Sequence, residues 1–164
     1  MKLVKFIVVL ATLALAVPSF AQTKGAPKGA ADQADMQILR DKVKADKKLV
    51  VSQNMSLTDA EAKGFWPVYD AYQKDLHALN DKMMTTIKAY ADAYNKGPVA
   101  DDVAKKLLND AIALEDEEVK LKRSYIPRLD KVLPGAKVAR YMQVENKIRA
   151  MVKIELAAAI PLVY

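Results

Sequence analysis

At 164 residues and 18.1 kDa, the chain is long enough for one ordinary domain with a core that folds alone. It has no cysteine, which excludes disulfides, zinc–thiolate sites, thiol nucleophiles and covalent haem attachment, and its single histidine excludes a multi-histidine metal site within one chain. An apolar fraction of 52% argues against disorder throughout, while a formal charge of +6 and a pI near 9.3 invite a nucleic-acid reading that depends on where the charge sits.

Residues 1–21 read as a secretory signal. Lys2 and Lys5 supply a positive start, Phe6 to Val17 an apolar run, and Ser19-Phe20-Ala21 small residues at the two positions a signal peptidase reads. The run is too short to span a bilayer comfortably, so cleavage after Ala21 is preferred to a membrane anchor. The signal carries two lysines and no acid, which leaves the mature chain from Gln22 at +4. Its lysine start and Ala-Gln junction look bacterial and point to the periplasm, where an exported protein rarely meets nucleic acid or ATP. Disulfides can form there, yet this chain has none and must be stabilised by packing.

Residues 22–34 form a tether with no pattern to bury. A single helical domain over residues 35–164 follows, in four segments. The first runs from about Asp35 to Gln53, with Met36, Leu39, Val43 and Val50 as a modest apolar stripe. The second opens at Leu57-Thr58-Asp59-Ala60-Glu61, where Thr58 and Glu61 have the spacing of a capping box. Its seam is Ala62, Phe65, Tyr69, Tyr72, Leu76, Leu79, Met83, Ile87, Tyr90 and Tyr94, in steps of three and four, over about 50 Å of helix. Gly97-Pro98 ends it. The third runs from about Ala100 to Leu133, with Val103, Leu107, Ala111, Leu114, Leu121, Tyr125, Leu129 and Val132 as its seam. Pro134-Gly135 opens the fourth, which reaches about Ala159. No segment alternates with period two, so the fold class is all-α. Pro67 and Pro127 lie inside helical patterns and are expected to kink or split their helices, giving an elongated, bent hairpin of about four helices. The apolar end Ile160 to Tyr164 is expected to pack back on the body.

The charge is polarised. Asp101 to Glu118 holds seven acids and two lysines, and Val119 to Lys153 holds ten basic residues and two acids, balances of −5 and +8. Local pairs such as Asp116 with Lys120 and Glu118 with Lys122 are the plain account. The sharper one is a basic surface formed by Lys120, Arg123, Arg128, Lys131, Lys137, Arg140, Lys147, Arg149 and Lys153 that steers acidic partners. On this reading, reversing Arg140 and Arg149 together to glutamate leaves the helix intact.

Chemistry is hard to find. Glu118 and Glu145 fall on or near apolar faces, but a carboxylate di-iron site needs Glu-x-x-His on two helices, and here Leu121 and Ile148 stand where the histidines belong. Glu145 instead reads as a partly buried carboxylate bonded to Arg149 one turn on or to a tyrosine. His77 reads as a hydrogen-bonded surface residue. No catalytic triad spacing, glycine-rich phosphate loop or nucleophile elbow is present, so no enzyme is expected. Phe65, Tyr69 and Tyr72 read as core, while Trp66, Met84 and Met142 are candidates for an adaptable apolar binding surface.

The signal, the missing catalytic set and the long helix opened by Leu57-Thr58-x-x-Glu61 resemble the Spy/CpxP-like family of periplasmic helical proteins, which is marked by Leu-Thr-x-x-Gln repeats. Val99 to Val103 is a degenerate second copy, and Phe65-Trp66-Pro67-Val68-Tyr69 and Leu133 to Glu145 look like more distant relatives of that family. The likeness spans residues 36 to 162. It implies a thin, curved, dimeric helical hairpin. It also implies ATP-independent holding of unfolding clients on a basic, partly apolar surface, envelope-stress signalling in some members, and metal binding in others.

The expectation is therefore a periplasmic, chaperone-like homodimer without cofactor. Its partners would be unfolded or acidic clients, with an envelope sensor as a further partner. The alternatives are a stress-signalling or metal-responsive accessory protein, and a structural envelope component that touches anionic lipid or polymer peripherally.

Overall fold

The structure, a computed structural model, describes residue 41 and residues 45–164. The expected signal, the tether and most of the first half of the first helix lie outside these residues. Residues 45–55 are helical (α1), followed by α2 (Asp59–Tyr94), α3 (Asp101–Leu129) and α4 (Gly135–Ala159). The described residues contain four helices and no strand, so the protein is all-α.

The start of α2 follows from its cap. The Thr58 side chain accepts from the Glu61 N–H at 3.3 Å, and the Glu61 carboxylate accepts the Thr58 N–H at 2.7 Å. Both donors would otherwise be orphaned at a helix start. The second, degenerate copy behaves differently. Ala100 caps α3 with no side-chain bond, and Asp101 and Asp102 offer only charge to the helix dipole.

Neither internal proline splits its helix. Pro67 faces solvent within a continuous α2, so the Lys63 carbonyl that loses its partner stays accessible to water. Pro127 stands two residues before the end of α3, which stops at Leu129 rather than Leu133. Pro134 is the N-cap of α4 rather than its first turn.

Contacts fix the topology. Gln73 and Asp70 of α2 meet Lys47 and Lys48 of α1, so these helices are antiparallel. Lys82 and Asp75 of α2 meet Glu117 and Tyr125 of α3, again antiparallel. α4 runs back along α2 in the same sense, from Lys137 on Glu61 through Glu145 on Gln73 to Arg149 on Asn80. The α2–α3 hairpin is thus closed by α1 and α4 into an up-and-down arrangement around one core. Phe65, Tyr69, Tyr72, Leu76 and Leu79 supply the α2 side, and Val51, Met55, Tyr125, Leu129, Leu133, Val138 and Tyr141 the rest. The predicted α2 seam is buried or half-buried throughout. The α3 seam is only partly so: Val103 and Ala111 are exposed, because fewer elements surround α3 toward the hairpin tip.

At Gly64 the missing side chain lets α2 lie close against Val132 in the turn after α3. A Cβ built there would stand 2.9 Å from Val132 Cγ1. Gly64→Ala is expected to destabilise by about 1 kcal/mol or more through this overlap, measurable as a lower urea midpoint at unchanged slope.

The apolar end touches α2 at two points but does not bury itself, since Leu162, Val163 and Tyr164 stay exposed. The Tyr90 hydroxyl donates to the Pro161 carbonyl at 2.8 Å, and the Tyr94 and Tyr164 rings meet edge-on with centres 4.8 Å apart.

Candidate functional site

The nine basic residues expected on one surface fall into three groups. The first serves the fold. Lys137 donates to the capping carboxylate of Glu61 at 2.5 Å and to the Ser56 carbonyl at 3.0 Å, joining α4 to the α1–α2 turn. Arg149 donates to Glu118 at 3.0 Å and to Asn80 at 2.6 Å, and Lys153 stands 3.6 Å from Glu115. Reversing Arg149 would therefore place a second carboxylate against a buried one, so the double reversal with Arg140 is expected to lower stability as well as change the surface charge.

The second group is Arg140 and Lys147. With Asn54, Gln143 and Val144 they line a shallow depression of about 270 Å³ between α1 and α4. Arg140 reaches the Asn54 carbonyl at 3.4 Å, which places it at the C-terminal end of α1.

The third group is the second half of α3. Lys120, Arg123, Arg128 and Lys131 are all exposed, and none meets a carboxylate among the described residues. Arg128 lies over the Tyr125 ring, 4.6 Å from its centre. The expected Asp116–Lys120 pair does not form, whereas Lys122 does bond Glu118 at 2.7 Å. Val119 and Ile126, 48% and 39% exposed, share a helical face with Arg123 at spacings of four and three. On the other flank, Lys120 and Ser124 border an open trough of about 380 Å³ between α3 and α2. Its apolar lining is Ala78, Leu79 and Leu121. Lys82 and Glu117, 2.7 Å apart, bridge its wall, and Asp75 at its end accepts the Tyr125 hydroxyl at 2.6 Å.

The apolar candidates do not gather there. Trp66 is half-buried against Phe65 and Tyr69, with the Lys48 ammonium 4.9 Å from its ring centre. Met142 is half-buried and packs on the core. Met84 is exposed on α2. Sequence reasoning missed Val119 and Ile126, whose signal was a second apolar row on α3 beside the chosen seam.

Glu118 and Glu145 are both buried, Glu145 more fully than its sequence position suggests, and each has a partner on another helix. Glu145 accepts from Lys47 at 2.7 Å and from Gln73 at 2.7 Å, and Gln73 also reaches the Tyr141 hydroxyl at 3.3 Å. Arg149 is not its partner. Burial by itself would raise the Glu118 pKa, but the Lys122 hydrogen bond and the Arg149 charge outweigh it and hold the carboxyl below the usual 4.5. A depressed carboxylate adds stability that is present above its unfolded value and lost as pH falls through the folded one. Urea unfolding at about pH 6 and about pH 3 should show this loss, and Arg149→Met should make the dependence on acid shallower.

His77 is exposed and bonds Asp81 at 3.2 Å. Among the described residues, no three His, Cys, Asp or Glu side chains stand together as metal ligands, and no helix is long and apolar enough to cross a membrane. A comparison of the chain with family models, with curated proteins and with solved structures finds no match.

Proposed function

We propose that the chain is an exported helical binding protein that holds acidic or unfolded polypeptides, in a chaperone-like way, on the second half of α3. One observation carries this reading. Lys120, Arg123, Arg128 and Lys131 are exposed without carboxylate partners on the same helix half as the uncovered Val119 and Ile126. Unpaired cations steer acidic chains by long-range attraction, and exposed apolar side chains beside them give a weak, non-directional hold that needs no nucleotide. The export signal and the Leu57-Thr58-x-x-Glu61 opening agree with this role, and the likeness to the Spy/CpxP-like family rests on those short motifs. A homodimer and periplasmic residence belong to the same proposal.

The test is light scattering of a denatured enzyme diluted with stoichiometric amounts of this protein. Suppression is expected at low salt and should weaken as salt rises. Lys120→Glu with Arg123→Glu, both on the exposed face of α3, should abolish most of it at unchanged helicity. Undiminished suppression by the double variant would count against the reading. Flotation with anionic vesicles separates it from a lipid-binding role.

A further inference from the structure

We infer that the exposed face of α3 centred on Val119 pairs antiparallel with the same face of a second copy of this chain. This names the surface of the homodimer proposed above and rests on that proposal. Ile112, Val119 and Ile126 stand at steps of seven residues and are 52%, 48% and 39% exposed, so they form one uncovered apolar row about 21 Å long. The charges along the row are opposite on the two sides of its centre. Glu115 and Asp116 precede Val119 by four and three residues, and Lys122 and Arg123 follow it by three and four. A twofold axis through Val119 therefore sets Ile112 of one copy against Ile126 of the other, and Glu115 and Asp116 against Lys122 and Arg123, each contact made twice. Flanks match as well. Glu115 and Lys122 lie on the side toward α4, where they meet Lys153 at 3.6 Å and Glu118 at 2.7 Å. Asp116 and Arg123 lie on the side away from it, both exposed, and neither meets an opposite charge among the described residues. This last pair decides the orientation. A parallel, in-register pairing sets Asp116 on Asp116 and Arg123 on Arg123, which repels. A partner of one charge sign satisfies only half of the row. The row contains Val119 and Ile126, so a second copy and a client compete for it.

The experiment is sedimentation velocity over a wide range of protein concentration, where wild type should show a monomer–dimer equilibrium. Asp116→Arg and Arg123→Asp, both at exposed positions, should each raise the dissociation constant by about tenfold or more, because each brings like charges together twice. An equimolar mixture of the two variants should dimerise at least as tightly as wild type, since every swapped residue then meets its complement. The chain has no cysteine, so introduced thiols report register directly. Ile112→Cys mixed with Ile126→Cys should cross-link under mild oxidation, and neither should cross-link alone. Far-UV circular dichroism checks that each variant keeps its helices, and recovery in the mixture shows that both variants are folded. Wild type that stays monomeric, a mixture no tighter than its components, or Ile112→Cys that cross-links to itself overturns the interface. The light-scattering assay keeps this apart from the client reading. Asp116→Arg retains every cation and apolar side chain of α3 and should suppress aggregation at least as well as wild type. Monomeric wild type that suppresses aggregation overturns the interface alone. A dimer that passes the mixing test and suppresses nothing upholds the interface and overturns the client reading.

Discussion

Tyr141→Ala is expected to destabilise the protein by about 4 kcal/mol, the largest effect of any single core truncation. Tyr141 is fully buried, and its ring meets Phe65 at 5.0 Å, Tyr69 at 6.0 Å and Tyr72 at 6.1 Å, each edge-on. It is the residue through which α4 enters the aromatic core of α2. Its removal leaves a cavity faced by three rings and costs their edge-to-face contacts, each worth about 0.5–1.5 kcal/mol beyond burial. Burial, followed by the nearby Glu145 charge, drives the Tyr141 pKa far above that of a free tyrosine, so the hydroxyl stays neutral while the fold persists. A fall in melting temperature on the order of 15 °C is expected. Tyr164→Ala, at a mostly exposed ring, should shift it by only a degree or two, within the roughly ±0.5 kcal/mol of ordinary surface changes. Equal shifts for both would mean that α4 does not seat where Tyr141 places it.

Lys47→Met is expected to cost about 3–5 kcal/mol, although Lys47 lies on a short stretch of helix at the edge of the bundle. Glu145 is 3% exposed, and Lys47 is its only cationic partner among the described residues. Without the ammonium, the buried carboxylate keeps only the Gln73 amide as a partner, and its desolvation is no longer offset. The double variant Lys47→Met, Glu145→Gln should recover most of the loss, because no charge is then buried unpaired. A double variant as unstable as the single would show that Lys47 acts through packing of its chain rather than through its charge. Both variants are read by urea unfolding at neutral pH.

Much of the fold was legible. The α2 seam from Phe65 to Ile87 follows from steps of three and four, and the Thr58–Glu61 spacing marks the helix start to the residue. The two interior carboxylates were also visible, since Glu118 and Glu145 fall on apolar faces. Their partners were not. Spacing within one helix pairs Glu145 with Arg149, but the turn between α3 and α4 brings Arg149 against Glu118 on another helix. Lys137 likewise reads as one cation in a basic run, and only the fold brings it to Glu61, 76 residues away. Sequence charge counts therefore overstate the free basic surface, because three of the nine candidates are engaged with carboxylates. The α3 seam was chosen among two apolar rows, and nothing local distinguishes the row containing Val103 from that containing Val119. The number of neighbouring helices at each level decides it.

Client binding on the second half of α3 is the central claim. Amide chemical-shift mapping of isotope-labelled protein, titrated with a permanently unfolded acidic polypeptide, tests this most directly. The expected result is that perturbations concentrate on residues 119–131 of α3 and on the facing Ala78–Lys82 stretch of α2, and fade with added salt. Perturbations confined to the Met151–Ile154 stretch of α4, or none at client excess, would contradict it.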